Sequence, residues 1–320
     1  MMLTLMKTSP GMMSQLKNKY LIIILGPTAS GKTAAGIQIA KIFQTEIISA
    51  DSRQFFKELK IGTAVPDIHQ LKSVPHHFIQ TISVQDYYNV SMYEQEVLEV
   101  LERLFSAKDI VVMVGGSGMY IDVVCRGIDD LPDIDPLVRE KYQQKLKDEG
   151  IESLRFELKK LDPVYYAKAD LKNHKRILKA LEISAMTGIP YSSFLTGPKK
   201  ERPFKIVKIG LNPDRNELHE KINLRVDNMI KNGLIDEARS LYHIRNFNAL
   251  NTVGYKEIFD YLDRKITLEQ AVSLIKRNTR RYARRQMTWF NRDKSIIWFR
   301  PDDIKNIIDY IRSETGSNGD

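Results

Sequence analysis

The sequence predicts an α/β fold in which a phosphate-loop (P-loop) parallel sheet carries helices on both faces, with a helical insertion domain and further C-terminal helices. Two observations predict it. Strand-like and helix-like segments alternate over the first 125 of the 320 residues, as in successive βαβ units. The first strand also runs directly into the glycine-rich sequence G-x-x-x-x-G-K-T, which in this setting is typical of a phosphate-binding turn.

The alternating part is assigned to residues 20–126, the first part of the α/β core. Apolar runs predict strands, at 21–25, 46–49, 76–82 and 110–114. Amphipathic patterns predict helices, at 32–43, at 91–107 and from 119. Ser91-x-x-Glu94 has the form of a capping box for the second of these helices. Because ligands bind at the carboxyl ends of parallel strands, the loops that follow these strands should converge on one cleft.

The pattern changes at about residue 127, where a polar, proline-punctuated linker leads into lysine-rich helical segments. We assign 127–200 to a helical insertion domain. A strand at 204–211 then returns the chain to the sheet, so 201–320 completes the core. The remaining predicted elements are helices at 217–232, 235–242, 267–290 and from 301, with a strand at 295–299.

Composition excludes several classes of protein. Residues 1–19 lack the apolar core of a signal peptide and are predicted to be a flexible extension, with Met12 or Met13 as possible start sites. No apolar run reaches the roughly 18 residues of a membrane span, so no membrane partner is expected. Cys125 is the only cysteine, which excludes an internal disulfide and indicates the cytoplasm. We expect a soluble monomer.

Residues 26–33 predict a phosphate site. Gly26 and Gly31 allow a tight turn whose N–H groups point at an anion, and the next helix adds its positive N-terminal end. Lys32 supplies a cation, and the Thr33 hydroxyl can hold Mg²⁺. The candidate binding residues are Gly26, Pro27, Thr28, Ala29, Ser30, Gly31, Lys32 and Thr33. The motif indicates a phosphorylated ligand and does not specify ATP.

Two further loops begin at predicted strand ends. Asp51 opens the sequence Asp-Ser-Arg-Gln, where a carboxylate could hold Mg²⁺ through water or accept a proton; a turn or helix cap is an equal alternative. Ser117 lies in the turn 115–118 and could donate to a diphosphate or a base, or serve the turn alone. The strand before this turn does not end in Asp or Glu, which disfavours an ordinary phosphate-loop ATPase.

The net charge of +9 arises in one window. Residues 264–300 contain eleven Lys or Arg and two acidic residues. In the predicted helix, arginine pairs recur every four residues and therefore share one face. No acidic residue lies between 270 and 292, so pairing within the helix cannot explain them. We favour an RNA-backbone surface over a solvated face and expect Tyr282, Met287, Trp289 and Phe290 to pack in the core.

The order of the motifs resembles that of a known family. Residues 26–33, 49–54 and 114–120 are followed by 218–226, 253–257 and 280–290. Together they closely resemble the bacterial tRNA dimethylallyltransferases, also called tRNA isopentenyltransferases, from about residue 20 to residue 299. The glycine loop of that family usually reads Gly-Gly-Thr, and Ser117 stands at the third position here, which keeps the hydroxyl.

The resemblance implies a reaction. The phosphate loop would hold dimethylallyl diphosphate, and the acceptor would be the N6 amine of the adenine 3′ to the anticodon of tRNA. Asp51 would accept a proton from that amine, Arg225 with Lys32 and Mg²⁺ would stabilise the leaving diphosphate, and Ser117 completes the catalytic set. The implied tRNA contacts are Asp51, Ser52, Arg53, Gln54, Ser117, Arg139, Lys175, Arg176, Ile177, Leu178, Lys179, Arg284 and Arg285.

Two alternatives use the same residues. A small-molecule or nucleoside kinase explains Lys32, Thr33 and Asp51 but leaves the basic helix without a role. A non-catalytic RNA-binding protein with a nucleotide switch explains the basic helix, but it gives no reason for Asp51 and Ser117 to face one cleft. Without the resemblance, the residues indicate a phosphate-binding α/β protein with a surface for RNA.

Overall fold

The computed structural model describes residues 18–129, 131–195, 197 and 200–316. The extension predicted over 1–19 therefore falls outside the described residues, except for its last two positions. The described chain divides into two units. The core unit contains the residues up to Arg126 and those from Arg202 onward, and the inserted unit contains Gly127–Glu201.

The core unit is built on a six-stranded sheet in which all pairs of neighbouring strands are parallel. The strands are β1 (Tyr20–Leu25), β2 (Ile47–Ala50), β3 (His76–His77), β4 (Ile110–Gly115), β5 (Lys205–Leu211) and β6 (Ile296–Phe299). Their order, β3-β2-β4-β1-β5-β6, places β1 between β4 and β5. The predicted α/β fold is thereby confirmed.

Helices flank the sheet and follow the strands in the predicted alternation. They are α1 (Lys32–Ile42), α2 (Ile68–Ser73), α3 (Val90–Phe105), α4 (Gly118–Arg126), α5 (Pro136–Leu161), α6 (Pro163–Lys168), α7 (His174–Thr187), α8 (Arg215–Lys231), α9 (Leu234–Ser240), α10 (Tyr255–Leu262), α11 (Leu268–Phe290) and α12 (Ile304–Thr315). Every residue of β1 is buried, because helices cover both faces of a parallel sheet and its strands are therefore continuously apolar. No helix in the described part of the chain is both long and apolar enough to cross a membrane.

Two local predictions are wrong. Asn89, not Ser91, caps α3: its side-chain oxygen accepts the N–H groups of Ser91 and Met92 at 2.8 and 3.0 Å. Glu94 is instead buried against Arg202, with 2.6 Å between carboxylate oxygen and guanidinium nitrogen. Of the strand predicted over 76–82, only His76–His77 joins the sheet, since Phe78 turns the chain away with a φ of 62°; Ile82 forms an isolated bridge with Phe56. A capping box formed by Thr267 and Gln270 starts α11, the helix that carries the basic pairs.

Arg202 also marks the return of the chain to the core unit. Its guanidinium donates to the carbonyl of Val123 at 2.6 Å and to that of Val124 at 2.8 Å. Both carbonyls belong to α4, the last helix before the chain leaves the core unit at Arg126. The re-entering segment is therefore bonded directly to the departing one.

The inserted unit has a small helical core of its own. Tyr142, Leu154, Leu158 and Leu181 form it together with other apolar residues of α5 and α7. Asp162 is fully buried between α5 and α6 and accepts hydrogen bonds from the backbone of Tyr165 and from Ser192. This carboxylate joins the short helical segments that follow α5.

Candidate active site

The loop after β1 has the backbone shape that its glycines predict. Gly26 and Gly31 have φ angles of 147° and 88°. A Cβ atom at Gly26 would lie 2.5 Å from the carbonyl oxygen of Leu211 in β5, so only glycine fits there. Gly31 forms the N-cap of α1, which begins at Lys32. We call residues 26–33 the phosphate loop; its N–H groups and the helix N-terminus form an anion site.

Lys32 is a partly buried cation at the base of this loop. Its ammonium donates to the carbonyl oxygen of Pro27 at 2.5 Å. Burial and, to a smaller extent, the nearby Arg225 lower its pKa to about 7, while the Asp51 carboxylate acts in the opposite direction. An anionic ligand in the phosphate loop would supply the counter-charge that this dehydrated ammonium lacks.

Arg225 and Asp51 meet across a cavity of about 400 Å³. Arg225 projects from α8, and burial lowers the pKa of its guanidinium, an effect that Asp51 opposes. Asp51 follows β2, and one of its carboxylate oxygens accepts the N–H of Arg53 at 2.9 Å. Asp51 is thus a turn cap and also a lining residue of the cavity. A cation, a carboxylate and Thr28 of the phosphate loop share this space.

The residues around the cavity fit Mg²⁺ held jointly with a diphosphate. Among the described residues, no three His, Cys, Asp or Glu side chains cluster as ligands for a metal. Mg²⁺ does not need such a cluster, because it commonly takes one or two protein oxygens, several waters and substrate phosphates. The Thr33 hydroxyl, at the start of α1, and the Asp51 carboxylate provide oxygens of that kind.

Ser117 ties the turn after β4 to the segment that begins at Asp51. Its hydroxyl oxygen accepts the Ser52 N–H at 3.0 Å, and its O–H donates to the Ser52 hydroxyl oxygen at 3.1 Å. A Cβ at Gly115 would lie 2.3 Å from the Ala50 carbonyl oxygen, so the turn needs glycine to approach β2. Tyr282 lines the cavity beside them, and burial together with the Asp51 charge raises the pKa of its phenol to about 12.

The basic helix, α11, turns one face toward α8 and another toward solvent. Lys276 pairs with Asp227 at 2.6 Å, and Arg280 donates to the side chain of Asn223 at 2.7 Å, both on α8. Arg284 and Arg285 are exposed, and Arg285 also lines the cavity. Some basic residues of α11 therefore contact α8, and others are exposed to solvent.

The aromatic residues of α11 also divide. Phe290 is buried in the core, as predicted. Trp289 is 38% exposed and donates its indole N–H to Asp122 at 3.0 Å, so the prediction that it packs in the core is wrong. Tyr282 is partly exposed at the cavity, and the same prediction is wrong for it.

The predicted tRNA-contact residues of the inserted unit fall into two groups. Lys175 and Arg176 are exposed, and Lys179 is half-buried on the same helix. Ile177 and Leu178 are 0% and 9% exposed in the core of the unit, so their side chains support the helix and do not face RNA; this corrects the prediction at these two positions.

Arg139 also belongs to this unit. Its guanidinium lies 3.8 Å from the carboxylate of Glu182, whose pKa burial raises. Both residues belong to the inserted unit, Arg139 on α5 and Glu182 on α7.

Three supporting groups were missed by sequence reasoning. The carbonyl oxygen of Thr63 accepts from Gln54 at 3.2 Å and from Arg225 at 3.4 Å. Glu237 holds the preceding loop by accepting the N–H groups of residues 60, 61 and 62 and the hydroxyl of Tyr255. The third group, Gln286, faces inward from α11 and is 6% exposed. In the sequence, Gln286 was distinguished only as an uncharged polar residue between Arg285 and Met287.

Comparison with known proteins gives consistent results. The family model described as IPP transferase matches residues 54–293. The chain is 54% identical to tRNA dimethylallyltransferase 1 of Bacteroides fragilis, over 92% of this chain and 98% of the relative. It is 34% identical to the crystal structure of the full-length tRNA isopentenylpyrophosphate transferase from Bacillus halodurans, with a TM-score of 0.70 over 94% and 97% of the two chains.

A eukaryotic dimethylallyltransferase, captured in crystallographic snapshots acting on tRNA, is a further structural neighbour. The TM-score is 0.76 at 25% identity, and the alignment covers 90% of this chain and 75% of that one. These similarities extend over both the core unit and the inserted unit.

Proposed function

We propose a specific reaction for this chain, which belongs to the IPP transferase family and is a tRNA prenyltransferase. It transfers the dimethylallyl group of dimethylallyl diphosphate to the N6 amine of the adenine on the 3′ side of the anticodon and releases diphosphate. One observation carries the proposal: Arg225 and the single carboxylate of the cavity lining, Asp51, share one cavity with Thr28 of the phosphate loop, and both act on the charge of Lys32 in that loop. That set suits an anionic leaving group and a proton acceptor.

On the donor side, the allylic C–O bond breaks and both electrons remain on the diphosphate. The N–H groups of the phosphate loop, the Lys32 ammonium and the Arg225 guanidinium stabilise this charge as it develops. They are effective because they are already dehydrated and fixed before the reaction. Mg²⁺ held by the Thr33 hydroxyl and the diphosphate would supply further neutralisation.

On the acceptor side, the N6 amine is a poor nucleophile because its lone pair is delocalised into the purine ring. Asp51 accepts one of its protons as the new C–N bond forms, which contributes roughly 10²–10⁴ in rate. The adenine must leave the anticodon stack to reach the cavity, and a loop is already partly unstacked. A cavity of about 400 Å³ has room for the inserted base.

The tRNA is held by groups on both units. In the core unit these are Ser52, Arg53, Gln54 and Ser117 near the cavity and Arg284 with Arg285 on α11. In the inserted unit they are Arg139, Lys175, Arg176 and Lys179. Exposed basic side chains suit the phosphate backbone, and the protein acts as a cytoplasmic monomer in this proposal.

Incubation of the protein with unmodified tRNA, dimethylallyl diphosphate and Mg²⁺ tests the reaction. Mass spectrometry of the digested tRNA should find one prenylated adenosine, with diphosphate released in equal amount. The matched control is a tRNA with guanosine at that position, which should remain unmodified. Phosphoryl transfer from ATP to a small acceptor, without prenyl transfer, would support the kinase instead; the absence of an acidic residue at the end of β4 disfavours that outcome.

A further inference from the structure

Gln286 joins two loops of the candidate site that are far apart in sequence. Its side-chain oxygen accepts the N–H of Thr28 in the phosphate loop at 2.8 Å. Its side-chain nitrogen donates to the carbonyl oxygen of Gly116, in the turn after β4, also at 2.8 Å. One buried carboxamide on α11 therefore connects the loop on the donor side with the turn on the acceptor side.

The fit around this carboxamide is close. A Cβ at Gly116 would lie 2.3 Å from the nitrogen of Gln286, so the turn approaches as nearly as a backbone can. A buried N–H and a buried carbonyl are costly when they lose their partners. At this spacing both are satisfied only by a side chain that offers one acceptor and one donor.

The phosphate loop lines the cavity, and Ser117 in the turn after β4 is hydrogen-bonded to Ser52 on the cavity wall. Thr28 lines the cavity together with Asp51 and Arg225, and Gly116 immediately precedes Ser117. We propose that Gln286 is a positioning residue that sets the separation between the diphosphate of the donor and the groups that face the acceptor base. This inference rests on the proposed function. We expect the effect of this positioning on the rate to be large, because a misplacement of about 1 Å between reactants can cost roughly 10²-fold in rate.

The first test removes both hydrogen bonds at nearly constant volume with Gln286→Met. The affinity for inorganic pyrophosphate should fall about tenfold, since the loop loses the group that fixes Thr28, and kcat should fall about 10²-fold. Gln270→Met is the matched control: it changes the same residue type on the same helix, where the amide belongs to the capping box at Thr267. Pyrophosphate affinity and kcat should be unchanged in the control.

The second test measures how the activity of Gln286→Glu depends on pH. If Gln286 had a purely structural role, the activity of this variant relative to wild type would not depend on pH. A protonated carboxyl group offers one acceptor and one donor, like the amide, whereas a carboxylate offers no donor to Gly116. Burial raises the pKa of a carboxyl group. The activity of this variant relative to wild type should therefore rise as the pH falls from about 8 to about 6.

The outcomes separate this proposal from the proposed function. Pyrophosphate binding needs no tRNA, so a wild-type protein that binds pyrophosphate but does not prenylate tRNA would reject the reaction and leave the role of Gln286 testable. An unchanged pyrophosphate affinity in Gln286→Met overturns the positioning role. If that variant does not fold, a pH-independent activity ratio for Gln286→Glu overturns it.

Discussion

The core unit and the inserted unit use charge in opposite ways. In the core unit, Lys32 and Arg225 are partly buried near Asp51, where burial lowers the pKa of each, and Arg202 is buried against Glu94. In the inserted unit, Lys175 and Arg176 stand in solvent above a small apolar core. A dehydrated charge acts strongly on a nearby reacting atom, whereas an exposed charge is screened by salt and suits an extended polyanion. We therefore assign chemistry to the core unit and recognition to the exposed basic surfaces.

The largest expected effect is on Asp51, the carboxylate that lines the cavity. Asp51→Asn should lower kcat by roughly 10²–10⁴, because the amide cannot accept the proton of the N6 amine. Binding of tRNA, measured by filter retention, should persist. Asp109→Asn is a matched control, since that carboxylate is 79% exposed and precedes β4 at the opposite end of the sheet. Near-normal turnover in Asp51→Asn would remove this residue from the mechanism.

The second prediction compares a buried ion pair with a partly exposed one. Arg202→Met should cost about 3–5 kcal/mol, because it leaves Glu94 buried without a partner. In the inserted unit, Lys145 and Glu157 pair at 2.5 Å with side chains 28% and 26% exposed, and Lys145→Met should cost less than about 1 kcal/mol. Urea unfolding followed by circular dichroism measures both.

Equal losses in the free energy of unfolding of the two variants would contradict the contrast between the units. Fluorescence adds a specific probe of the core unit, because both tryptophans, Trp289 and Trp298, belong to it. The fluorescence transition should shift in Arg202→Met and stay in place in Lys145→Met.

The third prediction concerns the exposed arginines of α11. Reversing both charges, with Arg284→Glu and Arg285→Glu, should raise KM for tRNA at least about tenfold. The slope of log KM against the logarithm of the salt concentration should also decrease by about 1.4. Pyrophosphate affinity should change little. The control reverses two charges at the ends of α1 and α3, with Lys41→Glu and Arg103→Glu. An unchanged KM for tRNA would leave the α11 pair as a solvated face.

A smaller effect is expected in the inserted unit. Lys175→Glu with Arg176→Glu should raise KM for tRNA roughly fivefold and leave kcat unchanged, since these side chains position the tRNA backbone. Steady-state kinetics with tRNA as the varied substrate measures it. A fall in kcat with constant KM would mean that the inserted unit takes part in the chemical step and would remove the proposed division of labour.

The smallest effect is a pH dependence of stability. Burial alone would raise the pKa of Asp293, but hydrogen bonds from Lys208 and Ser295 outweigh it and hold the pKa well below its usual range. Because the pKa is lower in the folded state, the ionised carboxylate stabilises the protein at pH values above the unfolded pKa of about 3.9. This stabilisation is lost as the pH falls toward the folded-state pKa. The difference in urea midpoint between wild type and Asp293→Asn should thus be constant from about pH 7 to pH 5 and shrink below about pH 4. A constant difference throughout would contradict the assignment.

Groups that are specified by spacing were predictable from the sequence. The phosphate loop was predicted because glycines at fixed positions dictate a backbone turn, and Gly26 and Gly31 adopt the expected positive φ. Asp51 and Ser117 were predicted because parallel strands bring their carboxyl ends together. The role of Arg225 came only through the family resemblance, since nothing in the local pattern of α8 distinguishes it.

Groups that act through tertiary pairing were not predictable. Glu94 had the spacing of a capping box, but Arg202, 108 residues later, takes its carboxylate. Trp289 was expected in the core, and its indole N–H instead finds Asp122 at the surface. Gln286 was not singled out from the sequence at all. In each case the deciding partner lies in a distant segment, and a single sequence carries no record of which segments meet.

The bonds from Arg202 to the carbonyls of Val123 and Val124 close the base of the long excursion from Arg126 to Glu201. Because the segments on either side of the insertion are hydrogen-bonded to each other, the order of the strands does not depend on the residues that are inserted between these segments. The inserted segment can therefore change in length or composition as an interchangeable module, without any change to the sheet that carries the phosphate loop.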